Sequence, residues 1–217
     1  MTAPPNLETG HRLTDARAAL RWADETHGAG LCVTASFGDA TLAHLAATTI
    51  PGVEITLLDT GYLFAETEWF ATVLHERFDL RLRVIRPHAD LDRDVWQRDT
   101  DACCAQRKTE PLERALRSRT GWVTGLRRSD SPGRAATPLI HHDLLRGVDK
   151  INPLAAWDDG DVERYAATHD LPEHPLADRG YASIGCWPCT QPVVDDGDPR
   201  AGRWPGTEKT ECGLHVR

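Results

Sequence analysis

The stretch that decides the fold is Leu31-Cys32-Val33-Thr34-Ala35, which runs directly into Ser36-Phe37-Gly38-Asp39. The apolar run predicts a short buried strand, and residues 40–49 continue with leucines near helical spacing. A strand that passes through a polar turn into a helix is typical of the first half of a βαβ unit. The turn brings hydroxyl and backbone N–H groups to a helix start, where a phosphate or nucleotide can bind.

The same alternation continues on both sides of this stretch. Further strands are predicted at 53–58, 80–85, 122–125 and about 150–154, and further helices at 11–27, 62–78 and 159–169. Alternating strands and helices predict an α/β fold with an open, mainly parallel, twisted sheet flanked by helices. In such sheets ligands bind beyond the carboxyl ends of the strands, which here carry the polar stretches 36–39, 58–61 and 125–128.

Length and composition predict one domain over residues 1–217. We expect a helical segment over about 1–29, a loop-rich region from about 171 that is dense in Gly, Pro and Trp, and a mobile tail over about 200–217. His141-His142-Asp143 is interpreted as a loop, and Trp22, Trp69, Trp96 and Trp157 as packing residues.

Charge and hydropathy exclude several classes of partner. A net charge of −8 argues against binding to nucleic acid or to a membrane surface, and no apolar run is long enough to span a bilayer. No secretory signal is evident, so we expect a cytoplasmic protein, in which clustered cysteines indicate metal or redox chemistry. Residues 105–134 nevertheless hold eight basic and three acidic side chains, which suggests a site for a small anion.

Six cysteines are present, and they differ in context. Cys32 lies inside the first predicted strand and is assigned to the core. Cys186-Trp187-Pro188-Cys189 is a C-x-x-C motif, which can be a redox pair, half of a zinc site or half of an iron–sulfur site. Its late position, with Pro192 soon after it, disfavours the thioredoxin-like redox pair, which should open a helix after an early strand.

The adjacent pair Cys103-Cys104 favours one of the two remaining interpretations. Vicinal thiolates diverge from one backbone and fit a compact tetrahedral zinc site poorly, whereas a cubane presents four separate iron corners. The two pairs, Cys103 with Cys104 and Cys186 with Cys189, supply the four thiolates of a [4Fe–4S] cluster, with structural zinc as the alternative. Thr109 and Pro111 predict a helix start after the first pair. Lys108 would place its ammonium group near the cluster.

The segment Lys209-Thr210-Glu211-Cys212-Gly213-Leu214-His215 contains the last cysteine. Thiolates are the nucleophilic form of cysteine, and nearby cationic groups favour them. Lys209 and His215 flank Cys212 at three residues on either side. Cys212 is therefore the candidate nucleophile.

These motifs resemble those of the assimilatory adenylylsulfate and phosphoadenylylsulfate reductases, in the branch that bears an iron–sulfur cluster. The resemblance covers about residues 30–215. It is carried by 57–62, Cys103-Cys104 with Arg107-Lys108, 122–128, 150–154, 179–186 and 209–215. It implies a fold like that of the adenine nucleotide alpha hydrolases, related to the PP-loop enzymes. The loop at 36–39 lacks the double glycine of the ATP pyrophosphatases, which weakens an ATP-cleaving interpretation.

The resemblance also implies roles for individual residues. Nucleotide binding would involve Ser36, Asp39, Leu58, Asp59, Thr60 and Gly125. The phosphosulfate would be held by Arg134, Arg200 and Arg203, because the guanidinium fork suits an oxyanion. Lys108 would lie between cluster and substrate, and His215 near Cys212, the nucleophile.

The implied reaction reduces adenosine 5′-phosphosulfate to sulfite and AMP through an S-sulfonate on Cys212, with an external thioredoxin as reductant. An alternative is a cluster-bearing reductase of the 3′-phosphorylated nucleotide. A more distant alternative is a zinc or iron–sulfur redox sensor without turnover. The resemblance also implies that the chain can form a homo-oligomer.

Overall fold

A six-stranded sheet forms the centre of the chain in the computed structural model, which describes residues 7–193 and 198–215. The strands are β1 (Leu31–Thr34), β2 (Glu54–Leu58), β3 (Arg81–Ile85), β4 (Gly121–Val123), β5 (Ile140–Asp143) and β6 (Val148–Ile151). Their order in the sheet is β3-β2-β1-β4-β6-β5. All neighbouring pairs are parallel except β5 and β6, which form an antiparallel pair at one edge. The predicted fold class is confirmed.

Seven α-helices accompany the sheet within the described residues. They are α1 (Arg12–His27), α2 (Thr41–Thr49), α3 (Ala65–Phe78), α4 (Val95–Arg98), α5 (Thr100–Cys104), α6 (Glu110–Leu116) and α7 (Asp159–Thr168). A π-helical turn, Ala105–Thr109, joins α5 to α6. None of the described helices has the length and apolarity needed to cross a bilayer.

The strand order fixes where a ligand can bind. The chain leaves β1 for β2 and β3 on one side and then returns to β4 on the other side of β1. Connections that leave two adjacent strands in opposite directions open a crevice beyond their carboxyl ends, where open α/β sheets bind ligands. This crevice lies between the segments that follow Thr34 and Val123, which are two of the three polar stretches predicted from the sequence.

Two apolar clusters hold the layers together. The larger cluster includes Leu20, Leu45 and Phe70 from α1, α2 and α3, together with residues of β1, β2, β4 and β6. The smaller cluster packs Leu112 of α6 against Trp122 and includes Cys32, which is 3% exposed. The assignment of Cys32 to the core is therefore confirmed.

The prediction of a helix start at Thr109 and Pro111 is confirmed for α6, which begins at Glu110 with Thr109 as its N-cap residue and Pro111 in its first turn. Helical structure begins at Thr100, before the cysteine pair, and continues through the π-helical turn into α6. Pro111 has no N–H to donate to the preceding turn, so an ordinary α-helical ladder cannot run through it. The wider turn lies immediately before this proline. Cys103 and Cys104 thus lie on the last turn of a short helix that the sequence did not predict, ahead of the π-helical turn and α6.

The interpretation of 141–143 as a loop is wrong. These residues lie in β5, and Asp143 closes the hairpin to β6 by accepting hydrogen bonds from the backbone N–H groups of Leu145 and Arg146, both at 3.1 Å. Asp143 and Gly147, four residues apart, are residue types that favour such a turn. The packing interpretation of Trp69 is wrong as well, since this side chain is 56% exposed, whereas Trp157 is buried.

Candidate active site

Both cysteine pairs line one small cavity. Cys103 and Cys104 reach it from the end of α5, and Cys186 and Cys189 from the C-x-x-C loop. All four are free thiols. The same cavity is lined by three basic residues, Arg107, Lys108 and Arg203, and by Tyr62, Trp96, Pro188 and Trp204. The predicted quartet is thus brought together in space.

The C-x-x-C loop is tied to the segment that follows β2. The backbone N–H of Trp187 donates to the carbonyl of Tyr62 at 2.8 Å, and the Thr60 hydroxyl lies 3.3 Å from the sulfur of Cys186. On its other side, the N–H of Trp204 donates to the carbonyl of Cys189 at 2.9 Å. A loop rich in proline and tryptophan is thereby fixed against a strand end.

The thiols influence one another's ionisation. Burial raises the pKa of Cys103 to about 11, and the neighbouring sulfurs of Cys104 and Cys186 add to the rise. The pKa of Cys189 is raised by burial and then by Cys186 and Cys104. Thiols packed this closely need a cationic group between them to become thiolates together, and bound metal supplies one.

This donor set fits a thiolate-bound cluster in its chemistry. The four sulfur side chains converge on one cavity and form no disulfides. Arg107, Lys108 and Arg203 lie beside them and offset the negative charge of thiolates. Over residues 7–193 and 198–215, no three His, Cys, Asp or Glu side chains form a ready-made metal-binding group. The fit therefore rests on the convergence and chemistry of the four thiols.

Lys108 lies among three sulfur atoms. Burial would lower the pKa of its ammonium group, but Cys186, Cys212 and Cys104 outweigh that effect and leave the pKa raised. The ammonium charge is therefore retained in a largely desolvated position, where it acts strongly on its neighbours. Lys108 lines the four-cysteine cavity and also acts on Cys212 of the terminal segment.

Cys212 is the thiol that this environment activates. Burial would raise its pKa, but Lys108, the backbone N–H of Leu214 and Arg203 together lower it below the ordinary value. The next residue, Gly213, has φ +80°, a left-handed conformation that glycine adopts without strain, and this turns Leu214 back toward the sulfur. A thiol with a depressed pKa beside cations has the properties of a nucleophile.

Two charged residues that precede Cys212, Lys209 and Glu211, dock the terminal segment. Glu211 accepts two hydrogen bonds from Arg134, at 2.7 and 2.8 Å, and lies 3.5 Å from Arg200. Lys209 donates to the carbonyl of Thr100 at 3.1 Å and pairs with Asp101, both at the start of α5. Cys212 is thus held between the loop after β4 and the helix that carries the cysteine pair.

His215 stacks on the indole of Trp122, with ring centroids 5.5 Å apart and planes inclined by 17°. Burial lowers its pKa well below the ordinary value, and the surrounding cations Lys150, Arg134, Arg146 and Arg200 lower it further. The imidazole is therefore neutral at physiological pH. Its Nδ1 is buried and has no hydrogen-bond partner among the described residues.

A cavity of about 760 Å³ opens beside these groups. Its lining includes Arg134, Arg200, Arg203 and His215, which are the three predicted anion-binding arginines and the predicted catalytic histidine. Arg203 passes directly over Gly185, where a Cβ atom would lie 2.2 Å from its guanidinium, so a side chain at this position would have to displace the arginine. The arginines predicted from two separate stretches therefore line one cavity.

The predicted nucleotide residues lie at the strand ends, outside the described lining of that cavity. Ser36 is exposed after β1, and Asp39 accepts a hydrogen bond of 2.7 Å from the N–H of Thr41 at the start of α2. Gly125 is exposed after β4, and Leu58 ends β2. A Cβ atom on Gly38 would lie 3.9 Å from the Cβ of Ile184, so the β1 loop faces the segment that leads into Cys186.

Asp59 and Thr60 shape the turn after β2. Asp59 is buried and pairs with Arg86 at 2.8 Å, and it also accepts from the N–H of Gly61 at 2.8 Å. The hydroxyl of Thr60 accepts from the N–H of Tyr62 at 3.1 Å. These contacts give both side chains a structural role within the site.

Sequence reasoning assigned no role to three residues that the structure brings into the site. Arg107 is buried, lies 4.5 Å from the centre of the Tyr62 ring and donates to the carbonyl of Thr60 at 3.2 Å. Lys150 is buried 4.4 Å from the centre of the Trp122 ring, on which His215 also stacks. Glu211 docks the terminal segment. All three lie inside motifs that carried the resemblance, which was the available signal.

Curated proteins with sequences similar to this chain share most of its length. Adenosine 5′-phosphosulfate reductase of Streptomyces coelicolor is 45% identical over 215 residues, covering 95% of this chain and 91% of the relative. The protein of the same name from Mycolicibacterium smegmatis is 43% identical over 213 residues, covering 94% and 90%.

Solved structures show the same fold. The phosphoadenylyl-sulfate reductase of Candida auris, in a phosphate complex, superposes with a TM-score of 0.71 at 25% identity and covers 88% of this chain and 99% of its own. An FMN adenylyltransferase of Candida glabrata, with FMN and an ATP analogue, reaches a TM-score of 0.61 at 13% identity, covers 100% of this chain and 82% of its own, and shares the fold alone. The family model of the phosphoadenosine phosphosulfate reductase domain matches residues 30–192. The resemblance predicted from the motifs is confirmed, and the chain belongs to the phosphoadenosine phosphosulfate reductase family.

Proposed function

We propose that this chain reduces adenosine 5′-phosphosulfate to sulfite and AMP in sulfate assimilation. Relatives at 41–45% identity over most of the chain carry the name adenosine 5′-phosphosulfate reductase. The chain is accordingly an oxidoreductase that acts on a sulfur group. The observation that carries the proposal is the lowered pKa of Cys212, which Lys108 and Arg203 cause. The neighbouring cavity is lined by Arg134, Arg200 and Arg203.

Substrate binding is proposed to divide between two parts of the site. Ser36, Asp39, Leu58, Asp59, Thr60 and Gly125 border the crevice at the strand ends and would hold the nucleoside. Arg134, Arg200 and Arg203 would bind the phosphosulfate, because guanidinium groups bond oxyanions in a planar fork. The exposed backbone at Gly125 supports close approach of a ligand to the end of β4.

The first chemical step is proposed at Cys212. Its thiolate attacks the sulfur of the phosphosulfate, a bond forms between the two sulfur atoms, and the sulfur–oxygen bond to the phosphate breaks. AMP leaves with the bonding electron pair, and Cys212 carries an S-sulfonate. Lys108 and Arg203 stabilise the attacking thiolate, and the arginines stabilise the charge that builds up on the leaving phosphate.

The second step requires an external dithiol of the thioredoxin class. One thiolate attacks the Cys212 sulfur and expels sulfite, and its partner thiol resolves the mixed disulfide, so that the dithiol is oxidised by two electrons. This step needs Cys212 to be reachable, and the proposal assigns that access to movement of the terminal segment. Free thiols and a thioredoxin-class partner suit the cytoplasm, where we place the enzyme.

A [4Fe–4S] cluster is the proposed cofactor, held by Cys103, Cys104, Cys186 and Cys189. When bound, it would fix α5 to the C-x-x-C loop and place its charge beside Lys108. The electrons for sulfite formation come from the external dithiol. Lys108 keeps its ammonium group oriented between this cavity and Cys212.

The reaction is tested by mixing anaerobically purified, reduced enzyme with adenosine 5′-phosphosulfate and no dithiol. We expect the intact mass to rise by one SO₃ group, located on the Cys212 peptide, with one AMP released per chain. The 3′-phosphorylated nucleotide is run alongside, and faster sulfonation with it would support the alternative substrate. The absence of any mass increase with either nucleotide would contradict the proposal and support a redox sensor.

Replacing Cys189 with serine tests the cofactor. We expect the wild-type protein to be brown with four iron and about four sulfide per chain, and the variant to lose most of both, because a hydroxyl is a poor ligand for iron. Cys32→Ala is the matched control, since Cys32 lies in the core away from the cavity. A colourless wild-type protein that contains zinc would show that the quartet is a zinc site.

A further inference from the structure

Glu211 lies next to the nucleophile and engages the same arginine that the proposed function assigns to the substrate. Its two carboxylate oxygens accept from Nε and Nη2 of Arg134 at 2.7 and 2.8 Å, in the bidentate geometry of a strong ion pair. The pair is well shielded, with 14% of the Arg134 side chain and 32% of the Glu211 side chain exposed. A shielded bidentate pair holds its partners more firmly than a surface ion pair does.

Arg134 is held by two carboxylates, which do not occupy all of its N–H donors. Its Nη1 donates to Asp130 at 2.7 Å, opposite the edge that Glu211 occupies. A guanidinium group has five N–H donors, so these contacts leave two of them, one on each terminal nitrogen, for a further acceptor. Glu211 therefore orients Arg134 while leaving the distal end of the fork able to bind an anion.

Arg200 supports the same arrangement. Its Nη2 donates to the carbonyl of Thr210 at 2.9 Å and lies 3.5 Å from Glu211. Burial lowers the pKa of Arg200, and the neighbouring Arg134 lowers it further, while Glu211 opposes the effect. The carboxylate thus lets two arginines that repel each other face the same cavity.

We propose that Glu211 is a positioning residue that docks the segment carrying Cys212 onto Arg134 and Arg200, so that the nucleophile and the anion-binding arginines form one unit. This inference rests on the proposed function for the role of the arginines. It adds that closure of the segment and orientation of the anion site depend on the same carboxylate. Loss of the carboxylate should open the segment and slow sulfonation even when substrate saturates the enzyme.

The docking is tested without substrate, by the rate at which iodoacetamide alkylates Cys212 in anaerobically purified full-length protein. Rates are read from the Cys212 peptide by mass spectrometry on the high-pH plateau, where the thiol is fully ionised and a change in its pKa has no effect. We expect Glu211→Gln to raise the plateau rate about tenfold, since charged hydrogen bonds of this kind shift local equilibria by that order. Glu211→Asp should fall between it and the wild type.

Glu208→Gln is the matched control. Glu208 is exposed in the same segment, and the substitution makes the same change in charge. We expect its plateau rate to stay within about twofold of wild type. An equal plateau in Glu211→Gln and wild type would overturn the proposal, as would an equal rise in Glu208→Gln. Circular dichroism and thermal unfolding of each variant identify any general loss of structure.

Sulfonation of Cys212 provides the second readout. At saturating adenosine 5′-phosphosulfate, we expect Glu211→Gln to form the S-sulfonate about tenfold more slowly than Glu208→Gln. Equal rates would contradict the coupling of the tail to the anion site. If the wild type forms no S-sulfonate, the proposed function fails, and the alkylation experiment still decides whether Glu211 docks the segment.

Discussion

Replacing Cys212 with serine is expected to abolish turnover, with a fall of at least about a thousandfold in the rate of sulfite release. A hydroxyl stays protonated at neutral pH, and Lys108 cannot lower its pKa far enough to ionise it. The variant should still bind AMP and retain its iron, because the four-cysteine cavity and the strand ends do not depend on this sulfur. Single-turnover assays with intact-mass detection measure the effect.

Cys32→Ala is the control for cysteine loss in general. Cys32 is buried in β1 against Thr56 and belongs to the core, so its replacement should leave sulfonation of Cys212 within about twofold of wild type. Normal sulfite release by Cys212→Ser would show that Cys212 is not the nucleophile. A trapped SO₃ on another cysteine would reassign that role.

Replacing Lys108 with glutamine is expected to slow sulfonation about a hundredfold, the usual cost of losing one positioned charge at a reacting centre. Lys108 is the leading favourable influence on the Cys212 thiolate, so its loss should raise the pKa of Cys212. The alkylation profile of Cys212 should then move to higher pH, and the remaining activity should increase with pH across the neutral range. The side chain length is nearly conserved, so packing changes little.

Arg117→Gln serves as the matched loss of positive charge. Arg117 is exposed at the end of α6, the helix that follows Lys108, and its substitution should leave both the rate and the alkylation profile unchanged. If Lys108→Gln left the Cys212 profile in place, electrostatic activation by this lysine would be wrong. A slower reaction with an unshifted profile would assign Lys108 to substrate binding instead.

The sheet and the grouping of cysteines could be predicted because they follow from local patterns. Apolar runs such as 31–35 fix strands, and the alternation with helices fixes parallel order. The pairs that contain Cys103 and Cys186 could be assigned to one site, because two closely spaced cysteine pairs usually serve metal or redox chemistry. The nucleotide-loop assignments and the mobility of the tail stay predictions.

Contacts between distant charged side chains could not be predicted. The pairing of Glu211 with Arg134 joins residues 77 positions apart, and no pattern in either segment selects its partner. The stacking of His215 on Trp122, next to Lys150, also depends on how the terminal segment folds back. The β5 strand was missed because a short polar edge strand has little hydrophobic signal.

The π-helical turn at Ala105–Thr109 lets the helical segment before it and the one after it direct their side chains independently. An inserted residue rotates everything after it by about 100° around the axis, since an α-helix has 3.6 residues per turn. Leu112 and Leu116 can therefore face the interior, while Cys103 and Cys104 point in a different direction around the helix axis and face the cavity. Deleting one residue of this turn would restore regular helical geometry and would turn either the cysteine pair away from its cavity or the leucines away from the apolar interior.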